Sequence, residues 1–275
     1  MTTATETRPR IPARYAVTGP KVTMRRVLRS EWSKFWSLRS SWITLVCATI
    51  VLLAFGIIAA SVYRPHAAHS SGTPTDPVGL ALTGASTAGL IVGVLGVLLS
   101  AGEYGTGMVR STYVAVPKRW PVLAAKSAVI GALVLVVATV TALIAFGVGA
   151  AVLHGDAIAL NLGDHGVLPA LLGAGSYLGL SAAFGVALGS LVRSTSGGIT
   201  ALVVIMMLLP ALASLLPGSM GDRLKPYFPG NAGDAIYALH PASHSLAPGA
   251  GLAVFAGWVA LLMAAAAIRL KRTDV

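Results

Sequence analysis

Six long runs of apolar residues constrain this chain more than any other feature of its sequence. A transmembrane α-helix needs about 20 predominantly apolar residues to cross the hydrocarbon core of a bilayer. The chain is 55% hydrophobic and only 11% charged, which is more apolar surface than one soluble core buries. We therefore predict an all-α polytopic membrane protein. Its six transmembrane helices are predicted at 42–62, 79–100, 127–153, 167–192, 199–216 and 250–268.

The distribution of basic residues predicts which side each connection faces. Lys and Arg in short loops stay in the cytoplasm, and six spans alternate sides. One set of connections carries 17 of the 20 basic residues, and the other set carries only Arg64, Arg223 and Lys225. Both termini are therefore predicted to be cytoplasmic, in a multi-pass protein of the plasma membrane.

The same charge pattern argues against several classes of function. The net charge of +11 lies beside apolar runs, without stacking aromatic residues, so we expect lipid headgroups and not nucleic acid as its partner. No glycine-rich phosphate loop is present, so we expect no ATP hydrolysis by this chain and no cofactor. Ser86 has no histidine near it in a predicted span, and His240 and His244 flank a proline in a predicted loop. Neither intramembrane proteolysis nor a metal site is therefore expected.

The segment before the first span has two parts. Residues 1–23 show no periodicity and are predicted to be a disordered cytoplasmic tail. Residues 24–41 carry apolar and polar side chains on opposite faces of an amphipathic helix, which we predict to lie at the membrane interface. Trp32 and Phe35 would sit at headgroup depth, while Glu31 and Lys34 would form a local ion pair or serve a functional role.

Three connections complete the predicted organisation around a transmembrane domain at 42–270. The cytoplasmic connection 101–126 is longer than a linker requires, and its glycines at 102, 105 and 107 favour a sharp turn before a short amphipathic helix. Glu103 would lie at the membrane edge, where it reaches headgroup water or pairs with Arg110. A long outer loop is predicted at 217–249, and 271–275 forms a cytoplasmic tail.

Small residues recur at four-residue intervals in the second and fourth spans. Such rows allow two helix backbones to approach closely. The pattern leaves two alternatives open, which are packing within one subunit and an interface between two subunits. The glycines concerned are Gly89, Gly93, Gly175, Gly179, Gly185 and Gly189.

Over roughly 24–271, the chain resembles the permease subunits of type-2 ABC transporters, in the bacterial form whose ATPase is a separate chain. Three features carry the resemblance. They are the interfacial sequence 29–35, the turn 103–110 followed by Pro117, Lys118, Arg119 and Lys126, and the inner connection Arg193, Ser194, Thr195. One departure is Gly107, where a longer side chain would be more usual.

The resemblance implies a cytoplasmic coupling helix that docks on the ATPase, with the interfacial helix packed beside it. By this likeness, the coupling residues are Glu103, Gly105, Thr106, Arg110, Lys118 and Arg119. It also implies a homodimer or paired permease that exports an amphipathic, lipid-like, peptide or drug-like substrate. The alternative is a non-transporting anchor or sensor that recruits a soluble partner or anionic lipid.

Overall fold

The computed structural model describes residues 23–63, 77–115, 119–153, 158, 160–213, 215, 220–242 and 244–272, apart from the side chains of 110, 111, 113 and 115. Within these ranges the chain forms helices and no strand. The predicted tail 1–23 therefore lies outside the described residues up to position 22. So do 273–275 and Lys118.

The helices follow one another along the chain. The α-helices are α1 (Met24–Ser37), α2 (Arg39–Val62), α3 (Pro77–Ala81), α4 (Ala85–Gly105), α5 (Met108–Ala115), α6 (Trp120–Val152), α7 (Val167–Val192), α8 (Thr195–Val203), α9 (Leu209–Ala213), α10 (Met220–Leu224), α11 (Pro229–Ala235) and α12 (Pro248–Arg272). A π-helical turn, Val204–Leu208, joins α8 to α9, and a 3₁₀ turn, Lys225–Tyr227, follows α10.

Six helical segments are long and apolar enough to cross a membrane, which confirms the predicted fold class. They are Arg39–Val62, Pro77–Gly105, Trp120–Val152, Val167–Val192, Thr195–Ala213 and Pro248–Arg272. Several extend beyond the apolar runs. The third begins at Trp120 and not at 127, so Lys126 lies within the first two turns of α6.

The helix α7 lies at the centre of the bundle. It packs against α4, α6 and α12, and most of its residues are buried. Tyr177, Phe184 and Phe255 form a line of aromatic contacts between α7 and α12, with ring centroids 5.7 and 6.0 Å apart. Several glycines of α7 also lie in these contacts, at positions where the backbone is too close to a neighbouring helix for a larger side chain.

The six glycines of the predicted small-residue rows all face other parts of the same chain. A Cβ on Gly185 would collide with the carbonyl oxygen of Gly93, and one on Gly179 would lie 2.8 Å from that of Gly131. A Cβ on Gly89 would lie 2.6 Å from the Tyr177 hydroxyl. The partners of the other three are Leu202 for Gly93, Thr139 for Gly175 and Val97 for Gly189. These rows therefore pack helices together within one subunit.

The fifth span changes its hydrogen-bond pattern just before Pro210. The N–H of Leu209 donates to the carbonyl of Val204, one residue further back than in an α-helix. Pro210 itself has no N–H to donate. The π-helical turn is thus a local break in the α-helical pattern just before the proline.

Part of the predicted outer loop 217–249 is a helix packed among the spans. Buried residues dominate α11, and a Cβ on Gly233 would collide with the Tyr177 ring. A Cβ on Gly251 of α12 would lie 2.6 Å from the carbonyl oxygen of Ala232. We call this end of the bundle the α11 end, and the opposite end, which holds Glu103, the α5 end.

Candidate functional site

Four charged side chains form a closed cluster at the α5 end, which we call the charge quartet: Glu31, Lys34, Glu103 and Lys126. Lys34 Nζ lies 2.8 Å from Glu31 Oε1 and 3.0 Å from Glu103 Oε1. Lys126 Nζ lies 2.7 Å from Glu31 Oε2 and 2.9 Å from Glu103 Oε1. Each cation therefore contacts both carboxylates, and the formal charges sum to zero.

Three separate elements supply the quartet. Glu31 and Lys34 lie one turn apart on α1, Glu103 lies in the last turn of α4, and Lys126 lies near the start of α6. Lys126 Nζ also donates to the carbonyl oxygen of Leu99, at 3.3 Å. The quartet thus ties the N-terminal helix to the ends of the second and third spans.

Burial makes these ion pairs costly to break. Glu31, Glu103 and Lys126 are only 5%, 8% and 5% exposed. A buried charge that loses its partner costs several kcal/mol, whereas an exposed ion pair contributes little. The predicted ion pair between Glu31 and Lys34 is present, but it is not merely local, because it belongs to a larger buried cluster. Glu103 pairs with Lys34 and Lys126, while the Arg110 side chain lies outside the described residues.

The protonation of Lys34 follows from its neighbours. Burial alone would lower the pKa of Lys34, but the hydrogen bonds and negative charges of Glu31 and Glu103 outweigh burial and raise the pKa above its usual value. Lys34 is therefore a cation at physiological pH.

A tight turn follows the quartet residue Glu103 and leads directly into α5. The Thr106 N–H and Oγ1 both donate to the carbonyl oxygen of Gly102, each at 3.1 Å. Gly107 has a φ of +74°, a left-handed conformation that favours glycine. This left-handed conformation explains why position 107 is a glycine, where the resemblance led us to expect a longer side chain. Gly105 ends α4 with open space around its Cα.

The short helix α5 contacts the quartet on one side and is exposed on the other. Lys34 Nζ lies 3.5 Å from the Thr112 hydroxyl oxygen. Val109 is 3% exposed, whereas Val114 is 85% exposed. Helix α5 therefore has a buried side at Val109 and an exposed side at Val114.

The other predicted coupling and interfacial residues occupy different surroundings. Arg119 Nη1 donates to the carbonyl oxygen of Leu270 at 3.0 Å, so it holds the end of α12. Phe35 is buried in the core, while Trp32 is 45% exposed and stacks edge-to-face on Trp36. Lys118 and the Arg110 side chain lie outside the described residues.

The connection between α7 and α8 lies at the same end. Arg193 has a φ of +61° at the C-terminus of α7, and its guanidinium lies 5.3 Å from the centre of the Tyr104 ring. Ser194 caps α8 by accepting a hydrogen bond from the Gly197 N–H at 3.4 Å. The turn therefore packs beside the residue that follows Glu103.

A second polar cluster, which the sequence did not predict, lies at the α11 end. Asp234 Oδ1 accepts hydrogen bonds from the Ser86 hydroxyl at 2.8 Å and the Tyr237 hydroxyl at 2.7 Å. Both partners are neutral. Burial raises the pKa of Asp234 above its usual value, although these hydrogen bonds from Tyr237 and Ser86 oppose the shift. The sequence feature that could have indicated this cluster was a single acidic residue that follows the glycine-rich segment 229–233.

Asp234 also borders a cavity of about 480 Å³ that His240, His244 and Asp222 help to line. These residues do not form a metal-binding arrangement. Across the part of the chain that the structure describes, no group of three or more His, Cys, Asp or Glu side chains is placed to hold a metal ion.

Comparison with known proteins gives no assignment for this arrangement. The chain matches no protein-family model, and a search of curated proteins finds no significant relative.

Proposed function

We propose that this chain is the membrane-spanning permease subunit of a type-2 ABC transporter, with ATP hydrolysis on a separate ATPase subunit. The observation that supports the proposal most is the charge quartet, because it joins a short exposed helix to two membrane spans. A subunit that receives mechanical work from a partner needs such a connection between its docking surface and its spans.

In this proposal α5 is the coupling helix and Val114 is part of its docking surface. The turn at Gly107 sets the direction of α5, Val109 on α5 is buried, and the Lys34–Thr112 contact joins α5 to α1. A force applied to α5 would reach α4 through the turn and α1 through Lys34. Glu31 and Lys126 would pass it to α6.

The quartet would move as one body. Separating any one of its charges from the others leaves an unpaired charge in a site of low dielectric, which is costly. ATP-driven closure of two ATPase subunits would therefore rock whole spans between inward-facing and outward-facing states, without deforming the cluster. A second permease copy would complete the pathway, and its amphipathic substrate would bind between the two.

The proposed orientation places the α5 end and both termini in the cytoplasm, in the plasma membrane. Seventeen of the 20 Lys and Arg residues belong to connections on that side. ATP is available there, and a docking surface on the other side would have no use.

Co-purification with a candidate ABC ATPase from the same organism tests the assignment. We expect Val114→Asp to abolish retention of the ATPase on the tagged permease in detergent, because it places a charge in an apolar contact. Val62→Asp is the matched control, since Val62 is 66% exposed at the opposite end of the bundle. It should retain the ATPase.

Equal retention by both variants would show that α5 is not the docking element. An ATPase that is never retained by the unmodified chain would favour the alternative function, a membrane anchor or sensor. Charge reversal at Arg110 and Lys118 provides a second check, because it should lower permease-stimulated ATP turnover if these residues face the ATPase.

A further inference from the structure

A groove of about 1130 Å³ runs between α1 and α6 at the α5 end. Its α1 wall carries Arg25, Leu28, Arg29 and Trp32, which recur at three- and four-residue intervals and so share one helix face. Arg26 also lines it. The groove is therefore positively charged on the side that α1 forms.

The α6 wall is entirely apolar. It consists of Ala128, Val129, Ala132, Leu133 and Val136, which lie on one face of α6. From 128 to 136 this face extends about 12 Å along the span, at 1.5 Å per residue. The groove thus has a cationic mouth and an apolar wall that continues into the hydrocarbon region.

The carboxylate of α1 does not neutralise Arg25 and Arg29. Glu31, the sole acidic residue in 24–37, is paired with Lys34 and Lys126 inside the charge quartet. Arg25 and Arg29 are exposed. The α1 surface therefore keeps a positive field where it meets the groove.

We propose that this groove binds one anionic phospholipid, with its phosphate among Arg25, Arg26 and Arg29 and an acyl chain along the α6 wall. Guanidinium groups bind phosphate oxygens through paired, charge-assisted hydrogen bonds. Trp32 lies at the boundary, where an indole ring contacts both headgroup and acyl chain. The proposal depends on six spans crossing a membrane and does not depend on an ATPase.

Native mass spectrometry of the purified full chain in detergent tests this site. The chain is titrated with phosphatidylglycerol and, separately, with phosphatidylcholine of the same acyl composition. We expect one phosphatidylglycerol to be retained in preference to phosphatidylcholine. Arg25→Ala/Arg29→Ala should weaken phosphatidylglycerol binding by roughly thirtyfold.

Matched variants separate a built site from a general attraction to charge. Arg39→Ala/Arg272→Ala removes two exposed cations from the same end of the bundle and should leave retention unchanged. Ala132→Trp should block the acyl-chain wall and abolish retention of the first lipid. Ala260→Trp, on an exposed position of α12, should not.

Three results would overturn the proposal. The first is equal retention of the two lipids, and the second is an equal loss in the two arginine double variants. The third is displacement of phosphatidylglycerol by glycerol phosphate at the same concentration, which would mean that the groove holds a phosphate group without a lipid. The mass spectra also report oligomeric state, so a second copy of the chain occupying the groove would appear as a lipid-free dimer.

Discussion

Lys126 Nζ lies 2.7 Å from Glu31 Oε2, so a cation near the start of the third span is paired with a carboxylate of the N-terminal helix. Both side chains are about 5% exposed. The pair therefore resists separation far more than an ion pair on a protein surface, and α1 behaves as a structural part of the membrane domain.

Replacing Lys126 with Met should destabilise the protein by about 3–5 kcal/mol, because it leaves Glu31 and Glu103 buried with one cation between them. Unfolding in mixed micelles with increasing sodium dodecyl sulfate measures the difference. Lys271→Met is the control, since Lys271 is exposed near the end of α12, and it should change stability by less than about 0.5 kcal/mol.

A double-mutant cycle with Glu31→Gln and Lys126→Met tests the pairing itself. Residues in one buried ionic network show coupling energies of about 0.5–3 kcal/mol. Additive effects of the two substitutions would contradict the quartet.

Gly107→Ala should loosen the attachment of α5, because a φ of +74° costs an alanine about 1–2 kcal/mol. Hydrogen exchange of the amides in Met108–Ala115 should become faster. Gly105→Ala should have no such effect, since Gly105 lies in a helix with open space around it. Equal exchange rates in the two variants would mean that the turn does not hold α5.

Gly185→Ala should cost at least about 1–3 kcal/mol, because its methyl group would overlap the Gly93 carbonyl oxygen and force α4 and α7 apart. Gly147→Ala has no atom within 4 Å of the added carbon and should be neutral or stabilising by up to about 1 kcal/mol. Thermal unfolding in detergent compares the two. If Gly185→Ala unfolds at the same temperature as Gly147→Ala, the close contact of α4 and α7 is wrong.

Asp234→Asn should make stability less dependent on pH. Because the folded-state pKa of Asp234 is raised, the folded protein favours the protonated carboxyl group, and stability falls as pH rises from the usual carboxyl value through the raised pKa. Asparagine keeps an acceptor oxygen for Ser86 and Tyr237 without the charge. The stability of the variant relative to the unmodified protein should therefore increase as pH is raised from about 4 to 7. Thermal unfolding at each pH measures this difference. A difference that stays constant with pH would contradict this.

Labelling of single cysteines in a Cys47→Ser background should reveal the sides of the membrane. Val114→Cys should react with an impermeant maleimide only after the cells are opened, and Leu224→Cys should react in intact cells, since both positions are exposed at opposite ends. Labelling of Val114→Cys in intact cells would place α5 outside and remove the basis for the transporter proposal.

Much of the fold follows from the length and composition of the apolar runs, but the ends of the helices do not. Lys126 interrupts hydropathy, so the sequence predicts that the third span starts at 127. The helix itself begins earlier, at Trp120, with Pro121 in its first turn, and Glu31 and Glu103 pair with Lys126 inside the protein. Such pairing depends on tertiary contacts that hydropathy does not encode.

Of the contacts within the charge quartet, only the one between residues close in sequence could be predicted. Glu31 and Lys34 are three residues apart on a helix, and that spacing predicts their contact. The contacts with Glu103 and Lys126 arise where three elements meet, so a single sequence gave Arg110 as an equally reasonable partner for Glu103. The small-residue rows likewise predicted close helix packing, but the Gly93–Gly185 pairing appears only in the structure.

The division of the quartet among distant segments has a consequence for biosynthesis. Glu31 and Lys34 are synthesised first, and at that stage one carboxylate is balanced by one ammonium group. Glu103 follows only at the end of the second span, and Lys126 follows near the start of the third. Release of the nascent chain after the second span would leave Glu31 and Glu103 with Lys34 as the one quartet cation between them.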